Sequence, residues 1–374
     1  MKKKILFTCF SLRVGGVTSA LINLLNNIDY EKYDVTLLLQ VKEGEFLKNL
    51  NSNVKLENYN LSKCKNKLIK KFINMFKFIN ILITHYHKYN FAGCFVSGYF
   101  YSALVAKVAS KNNAAWIHTD ILKYMENSDI MDKKHKGYST EKKAKKFLKK
   151  MLFRRFKKNI FVSEEGKKAY LKLYPKDREK TIVCHNLINY NEIITKSCEP
   201  ITEKFYGKKV FLNVSRHTEY DKKITRIINA CNKLKENDFV VLLVGDGEDH
   251  IKYINMVKEK KLEDKIKFLG LKTNPFPYYK IADAFILSSQ FEGFPVVFLE
   301  SMIMNVPLIT TDVSDATIMI KEKYGIVVPN SDDGIYIGMK EFLDNGFKIK
   351  KPFDYINYNK ESLTKLEALM NNED

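Results

Sequence analysis

The sequence contains no stretch of about 18 consecutive apolar residues, the length that a helix needs to cross the hydrocarbon core of a bilayer. Its basic and apolar start, residues 1–12, is followed by the Gly15-Gly16 pair and a helical pattern, not by the small-residue cleavage site of a secretory signal. We therefore expect a cytoplasmic protein whose contact with a membrane is peripheral.

Closely spaced cysteine pairs are also missing. The spacing of the cysteines shows no Cys-x-x-Cys pair and no dense framework, which favours free thiols in a reducing compartment over disulfides or a zinc site. The Gly-x-Gly-x-x-Gly fingerprint is absent as well, which disfavours a nicotinamide or flavin dehydrogenase. The six cysteines are Cys9, Cys64, Cys94, Cys184, Cys198 and Cys231.

Acidic residues are scarce in the first half of the chain. Residues 1–190 hold 37 Lys and Arg but 15 Asp and Glu, whereas residues 191–374 hold 26 and 28. The whole net charge of +20 therefore originates in the first half. A field of that sign attracts anionic partners such as phospholipid headgroups, lipid diphosphates or nucleic acid.

Two segments concentrate this positive charge. Residues Glu141–Lys158 predict a helix with ten basic residues and one acid. Residues Lys63–Lys77 are similar, and such clusters predict docking on an anionic membrane surface. We expect the apolar stripe of the helix Glu141–Lys158 to pack on the sheet of the first domain, so that the basic face of this helix stays free. That stripe consists of Phe147, Leu148, Met151, Leu152 and Phe156.

Strand-like and helical patterns alternate along the chain, as is typical of parallel sheets covered by helices on both faces. The alternation restarts at Lys209, after a polar linker at 187–208. We predict an α/β protein with two doubly wound, Rossmann-like domains, residues 1–190 and 191–350, that face a cleft. The tail, residues 351–374, predicts a helix that packs back on the first domain.

The segment from Ser288 to Ser301 carries the most information about chemistry. A strand is predicted to end at Ser288, and a turn with Glu292 and Gly293 follows. Pro295 then occupies the first turn of a new helix, a position that suits proline. The start of this helix would present backbone N–H groups and a positive dipole end to an anion. The sequence therefore predicts an anion site with acids beside it.

Glu292 and Glu300, with seven residues between them, resemble the E-x7-E motif of the retaining glycosyltransferases of family 4, which have the two-domain GT-B fold. Further segments resemble the family's motifs in the same order over nearly the whole chain. They are Gly15-Gly16, Trp116–Asp120, Phe161–Ser163, His185-Asn186, Leu212–Arg216 followed by Lys222, Val244–Gly247, Phe268–Gly270 and Gly325–Pro329. Independently of the resemblance, the apolar pattern after Gly16 predicts a helix with Thr18 as its N-cap.

The resemblance implies roles for individual residues. The catalytic set would be His118, which would bond a donor hydroxyl, Glu292 at the transferred sugar, and Arg216 with Lys222 at the diphosphate. Lys223 is the second choice for the lysine. Glu300 would bind ribose hydroxyls, and Gly16 would let backbone approach the diphosphate. The predicted donor-binding residues are Gly15, Gly16, Gly245, Leu271, Gly293, Phe294, Pro295, Val296 and Glu300.

By this resemblance the first domain binds the acceptor and faces the membrane, and the second binds a nucleotide sugar, with a UDP-sugar favoured. The implied reaction is retaining transfer of a hexose-type unit to a lipid-linked glycan for a surface polysaccharide. Asp246 and Asp249 have the spacing of a metal site, but they also predict a turn that opens a helix, so we expect no metal.

Two alternatives remain. The first is a sugar-nucleotide epimerase or an inverting transferase on the same fold, which the E-x7-E spacing disfavours. The second is a non-catalytic basic protein that binds nucleic acid or membrane. An aromatic and basic RNA signature is absent, as is a recognisable DNA-binding motif, so we expect no nucleic-acid partner.

Overall fold

A computed structural model describes residues 1–13, 15–59, 61–62, 64–95, 100–118, 152, 154–203 and 207–373. The chain divides into two compact units. The first unit comprises Met1–Leu187 together with Ile356–Asp374, and the second comprises Ile188–Tyr355.

The first unit is built on a seven-stranded sheet in the order β3-β2-β1-β4-β5-β6-β7, in which every neighbouring pair is parallel. Its strands are β1 Lys3–Cys9, β2 Tyr33–Leu39, β3 Lys55–Asn58, β4 Phe91–Cys94, β5 Asn113–Ile117, β6 Lys158–Phe161 and β7 Thr181–Val183. Among its described residues, the α-helices that precede the second unit are α1 Gly16–Asn27, α2 Lys67–His85, α3 Phe100–Ala109 and α4 Glu164–Leu173.

The second unit contains a six-stranded sheet in the order β10-β9-β8-β11-β12-β13, and its neighbouring strands are also parallel. Its strands are β8 Lys209–Val214, β9 Phe239–Val244, β10 Ile266–Gly270, β11 Ala284–Leu287, β12 Leu308–Thr311 and β13 Gly325–Val328. Its helices are α5 Tyr190–Ser197, α6 Ile224–Lys233, α7 His250–Glu259, α8 Phe276–Ile281, α9 Val296–Ile303, α10 Ala316–Met319 and α11 Gly334–Asn345. The predicted fold class, two doubly wound α/β domains, is confirmed.

Each unit buries its own core between sheet and helices. In the second unit, side chains of β8, β9 and β11 pack against α6, α7 and α11, with Phe211, Ile227 and Met339 fully buried. In the first unit, β1, β4 and β5 pack against α3 and one face of α2, with Leu6 and Ala106 at its centre. Nearly continuous apolar strands are therefore required, because both faces of each parallel sheet are covered.

The last helix, α12 Tyr355–Asn371, belongs to the first unit although it follows the second in sequence. The amide of Asn112 donates to the carbonyl of Leu369 at 2.7 Å, and the thiol of Cys184 lies 3.4 Å from the carbonyl of Ser362. Leu366 and Leu369 are buried there. The chain therefore crosses between the two units twice.

Several local predictions were wrong. Helix α1 begins at Gly16 with Gly15 at the N-cap, so Thr18 lies inside the helix and does not cap it. The predicted linker 187–208 contains α5, which Asn189 caps by accepting a hydrogen bond from Glu192 N. The polar composition of this segment suggested a linker. A helix of eight residues can form there because it buries only Ile193 and Ser197.

Most of the predicted basic helix Glu141–Lys158 lies outside the described residues. At its end, Phe156 is buried and Leu152 is partly buried against the core of the first unit. Lys158 begins β6 instead of ending a helix. Thr119 and Asp120 of the predicted motif after β5 also lie outside the described residues.

Candidate functional site

The centre of the second sheet is a topological switch point. Strands β8 and β11 are neighbours there, and the chain continues outward from them in opposite directions. The loops that follow these two strands therefore diverge and leave a crevice at the carboxyl edge of the sheet, where open α/β sheets bind ligands. The two loops are 215–223 and 288–295.

A lysine from one loop and a glutamate from the other meet across this crevice. Lys222 Nζ contacts Glu292 Oε1, and Ser289 Oγ donates to the same carboxylate oxygen at 2.7 Å. Both charged side chains are largely buried, at 17% and 13% exposure. Each buried charge therefore has an opposite charge beside it, which offsets part of the cost of its burial.

The neighbouring lysine points elsewhere. Lys223 has a left-handed backbone conformation, with φ of 50°, at the N-cap of α6. Its Nζ lies 3.9 Å from Glu219, a residue that also accepts from Tyr253 OH at 3.1 Å. Of the two lysines considered from the sequence, Lys222 is the one beside Glu292.

Arg216 follows β8 and is the exposed cation of the same loop. Its guanidinium donates to Asp221 at 3.1 Å, and its side chain is 66% exposed. Thr218 also bonds Asp221, whose carboxylate lies 4.0 Å from Lys222 Nζ. A planar guanidinium and an ammonium beside one crevice provide charge and hydrogen bonds for a diphosphate.

The predicted anion-binding segment forms the wall after β11. Pro295 is the N-cap of α9, one position before the first helical turn in which the sequence placed it. Phe294 and Val296 are buried beside it. The carbonyl of Gly293 accepts a hydrogen bond from Ser314 Oγ at 2.6 Å, which fixes the turn. Within the described part of the chain no side chain caps the start of α9, and the positive end of this helix lies at the turn.

Glu300, in the second turn of α9, is half-buried. Tyr279 OH donates to its carboxylate at 3.0 Å, and burial raises the pKa of Glu300 to about 7. Tyr279, which stacks on Phe285, is itself buried. Sequence reasoning did not find Tyr279, because no sequence spacing connects α8 to α9.

A buried arginine holds the loop after β11 in place, and sequence reasoning missed it. Arg226 NH1 donates to the carbonyl of Ser288 at 3.2 Å and to Asn330 Oδ1 at 2.8 Å, while NH2 donates to Gln290 Oε1 at 2.7 Å. Asn330 in turn donates to the carbonyl of Gln290 at 2.8 Å. Arg226 therefore clamps the residues just before Glu292. The sequence signal that could have found it is the position of Arg226 among the apolar residues at the start of α6.

Gly245 and Leu271 follow the next two strands. Gly245 has φ of +144°, and a Cβ there would lie 1.9 Å from the carbonyl oxygen of Ser215. This glycine is therefore required for the loop after β8 to pack against β9. Leu271, in contrast, has a side chain that is 61% exposed.

The remaining predicted residues belong to the first unit. Gly15 and Gly16 are exposed at the start of α1, and among the described residues a Cβ on either would meet no atom within 4 Å outside its own helix and chain neighbours. Packing among these residues therefore does not explain the two glycines, whereas it does explain Gly245.

His118 follows β5 in the first unit. Its Nε2 lies 2.9 Å from the carbonyl oxygen of Phe95, and burial lowers its pKa to about 4. The ring is therefore neutral at pH 7. Because a carbonyl only accepts, Nε2 carries the proton and Nδ1 is left as an acceptor.

The fold and the switch-point site define a class of protein. Over 98% of the chain and all of that protein, the structure resembles HepE of Anabaena, solved with UDP and glucose, with a TM-score of 0.75 and 18% identity. The shared fold is GT-B, that of the glycosyltransferases with two Rossmann-like domains.

Residues 198–362 match the family model of the glycosyl transferases group 1. Glycosyltransferase MJ1059 of Methanocaldococcus jannaschii is 28% identical over 159 residues, which are 41% of this chain and 39% of the relative.

A second relative comes from Campylobacter jejuni. Its name is N-acetylgalactosamine-N,N'-diacetylbacillosaminyl-diphospho-undecaprenol 4-alpha-N-acetylgalactosaminyltransferase, and it is 27% identical over 178 residues, 47% of each chain. The matches thus span less than half the length of these relatives.

Proposed function

We propose that the protein is a glycosyltransferase that moves a sugar from a nucleoside diphosphate to a glycan acceptor. The observation that carries the proposal is the Lys222–Glu292 pair, which spans the switch point beside the start of α9. It combines a cation for a leaving diphosphate with an acid for sugar hydroxyls. The E-x7-E spacing of Glu292 and Glu300 disfavours an epimerase on the same fold.

The donor would be held from several sides. Arg216 and Lys222 would neutralise the diphosphate, and the positive end of α9 would add to them. Glu300 would accept hydrogen bonds from ribose hydroxyls, and Glu292 would accept from the transferred sugar. The neutral His118, with Nδ1 as an acceptor, suits a sugar hydroxyl. UDP is the favoured nucleotide, since the similar fold of HepE was solved with UDP.

We further propose a retaining reaction that needs no metal ion. The E-x7-E spacing supports retention through its resemblance to family 4. Charge on the leaving diphosphate would be stabilised by the fixed cations Arg216 and Lys222, so that little reorganisation accompanies bond cleavage. The bond between the anomeric carbon and the phosphate oxygen would break while the acceptor hydroxyl forms the new bond on the same face. The departing nucleoside diphosphate would take the proton of that hydroxyl.

The acceptor is proposed to be a lipid-linked glycan of a surface polysaccharide pathway. The Campylobacter relative names a diphospho-undecaprenol acceptor, and the excess of basic residues in 1–190 suits a lipid diphosphate. Each Lys or Arg near an anionic membrane contributes about 1 kcal/mol, so the cluster supports peripheral association with the inner face of the cell membrane.

The test is a thermal-shift and hydrolysis screen with UDP-, GDP- and ADP-sugars, each with and without EDTA. A UDP-sugar is expected to stabilise the protein and to be hydrolysed at the same rate when EDTA is present. Glu292→Gln and His118→Ala should lower turnover about a hundredfold, as loss of a transition-state hydrogen bond does. Arg216→Ala should instead weaken binding of the donor.

The two adjacent lysines provide a matched control. Lys222→Ala should lower donor turnover, whereas Lys223→Ala should leave it within about twofold because its Nζ lies beside Glu219. Equal losses in both variants, or wild-type turnover in Glu292→Gln, would contradict the proposed site. Inversion at the anomeric carbon, detected by NMR of the first product formed, would contradict the retaining mechanism but not the proposed transferase activity.

A further inference from the structure

Helix α2 exposes its apolar face. Its side chains Leu68, Phe72, Phe76 and Ile83 are 73%, 61%, 64% and 68% exposed. Globular proteins rarely expose contiguous apolar patches of this size without a binding role. The exposed apolar residues of α2 are Leu68, Ile69, Phe72, Met75, Phe76, Ile79 and Ile83, and we name them the α2 stripe.

The spacing of the α2 stripe follows the helical repeat. At 3.6 residues per turn, its seven members lie within about 120° of the helix surface, and the 19 residues of α2 span about 28 Å. The stripe is therefore one continuous ridge along the helix. Among the described residues, no helix is long and apolar enough to cross a bilayer.

The opposite face of α2 holds the helix on the first unit. Ile81 is buried, and Phe78 and Leu82 pack against the same core. Asn66 caps the start by accepting from Leu68 N and Ile69 N at 3.0 and 3.2 Å. The helix is thus formed and fixed with its ridge outward, so the stripe is not its packing face.

The charged residues of α2 lie outside the stripe, and all of them are basic. Helical geometry places Lys71 about 100° from the centre of the ridge on one side, and Lys77 and Lys70 about 140° and 160° from it on the other. The sequence has no Asp or Glu between Glu57 and Asp120. An apolar ridge on a helix whose charged residues are all basic has the chemistry of helices that lie in the membrane interface.

We infer that α2 is an interfacial helix whose stripe enters an anionic lipid bilayer while its lysines contact the lipid phosphates. A second copy of the chain is a poorer occupant, because an α2–α2 contact would bring lysines together with no acid in the segment to pair them. The inference deepens the proposed membrane association and rests on it, and it identifies the element that inserts.

Flotation with phosphatidylglycerol–phosphatidylcholine vesicles tests the ridge. Phe72→Ser combined with Phe76→Ser should lower vesicle partitioning at least tenfold. The matched control is Ile251→Ser with Ile337→Ser, two exposed apolar residues of the second unit, which should bind as the wild type does. Lys70→Glu with Lys71→Glu should lower binding to these vesicles, whereas Lys252→Glu with Lys258→Glu should not. Unchanged partitioning of Phe72→Ser/Phe76→Ser would overturn the inference.

Insertion is distinguished from surface attraction with a fluorescent reporter. The single native tryptophan, Trp116, is buried, so Phe76→Trp adds an exposed probe over a constant background. Its emission should shift to the blue on vesicles and be quenched by lipids brominated along the acyl chain. Binding without either change would show electrostatic docking only and would overturn the proposed insertion.

Self-association and sugar transfer are measured on the same variant. A dimer in solution that Phe72→Ser/Phe76→Ser dissociates would assign the stripe to a second copy and overturn the inference. Hydrolysis of a UDP-sugar in detergent-free buffer should be unchanged in this variant. Should the wild type fail to hydrolyse any sugar nucleotide, the proposed transferase would fail while the vesicle results would still decide the role of α2.

Discussion

At the scale of single residues, the two glutamates of the candidate site have different partners. Glu292 contacts the cation Lys222, whereas Glu300 accepts a hydrogen bond from the neutral Tyr279. Burial raises the pKa of Glu300 to about 7, although the hydrogen bond from Tyr279 acts in the opposite direction. Ribose hydroxyls are donors that would favour its charged form, so donor binding and loss of a proton are coupled.

We expect this coupling to make donor affinity depend on pH. The carboxylate form of Glu300 binds better, so affinity should fall several-fold as the pH drops from 8 to 6, through the pKa of about 7. Calorimetry with a UDP-sugar measures this without interference, because its diphosphate is a diester with no proton to lose in that range. Glu300→Gln should bind more weakly at pH 8 and show no such dependence. A parallel pH profile in both proteins would contradict the coupling.

At the scale of elements, the loop between β11 and α9 owes its shape to residues from other parts of the second unit. Arg226 on α6 bonds Ser288 and Gln290, and Asn330 after β13 bonds Gln290 as well. The amide N–H of Gln290 also donates to the carbonyl of Asp221 at 2.7 Å. These hydrogen bonds therefore fix the positions of the two loops of the crevice relative to each other.

Arg226→Lys tests this clamp while keeping the charge. A lysine cannot make the forked set of bonds, so one or more buried acceptors would lose a partner at about 1–3 kcal/mol each. We expect faster hydrogen exchange at residues 288–292 and donor binding weakened about tenfold, with unchanged far-UV circular dichroism. Arg178→Lys, an exposed arginine of the first unit, is the control. Normal exchange and affinity in Arg226→Lys would show that the loop holds its shape without the clamp.

At the scale of the whole molecule, the chain returns to its first unit after completing the second. Helix α12 places Leu366 in the core of the first unit, and Lys3 Nζ donates to Asn371 at 2.8 Å. The first unit is therefore completed by residues that follow the second unit in sequence. Its stability depends on a segment that is synthesised after the second unit.

Leu366→Ala is expected to destabilise the first unit selectively. Truncation of a fully buried leucine costs about 2–5 kcal/mol, because it leaves a cavity as well as removing apolar contact. Hydrogen exchange followed by mass spectrometry should show faster exchange across residues 1–187 and little change across 198–345. Ile356→Ala, at a position that is 64% exposed, should leave both units unchanged. Destabilisation confined to the second unit would contradict the placement of α12.

The sequence by itself determined the fold class and the order of its parts. Apolar strands alternating with helices specify parallel sheets, because only sheets covered on both faces need strands without polar alternation. The E-x7-E spacing marked Glu292 and Glu300 because both lie on one short loop and helix. These features are local, so a linear pattern is enough to detect them.

Only the tertiary structure decided which groups meet. Lys222 and Lys223 are adjacent in sequence, and the structure places Lys223, with its left-handed backbone, beside Glu219 and Lys222 beside Glu292. Arg226, Tyr279 and the outward direction of the α2 stripe were likewise decided by packing between distant segments. A periodic apolar pattern predicts that a helix has an apolar face, but the direction of that face depends on which side of the helix the core occupies.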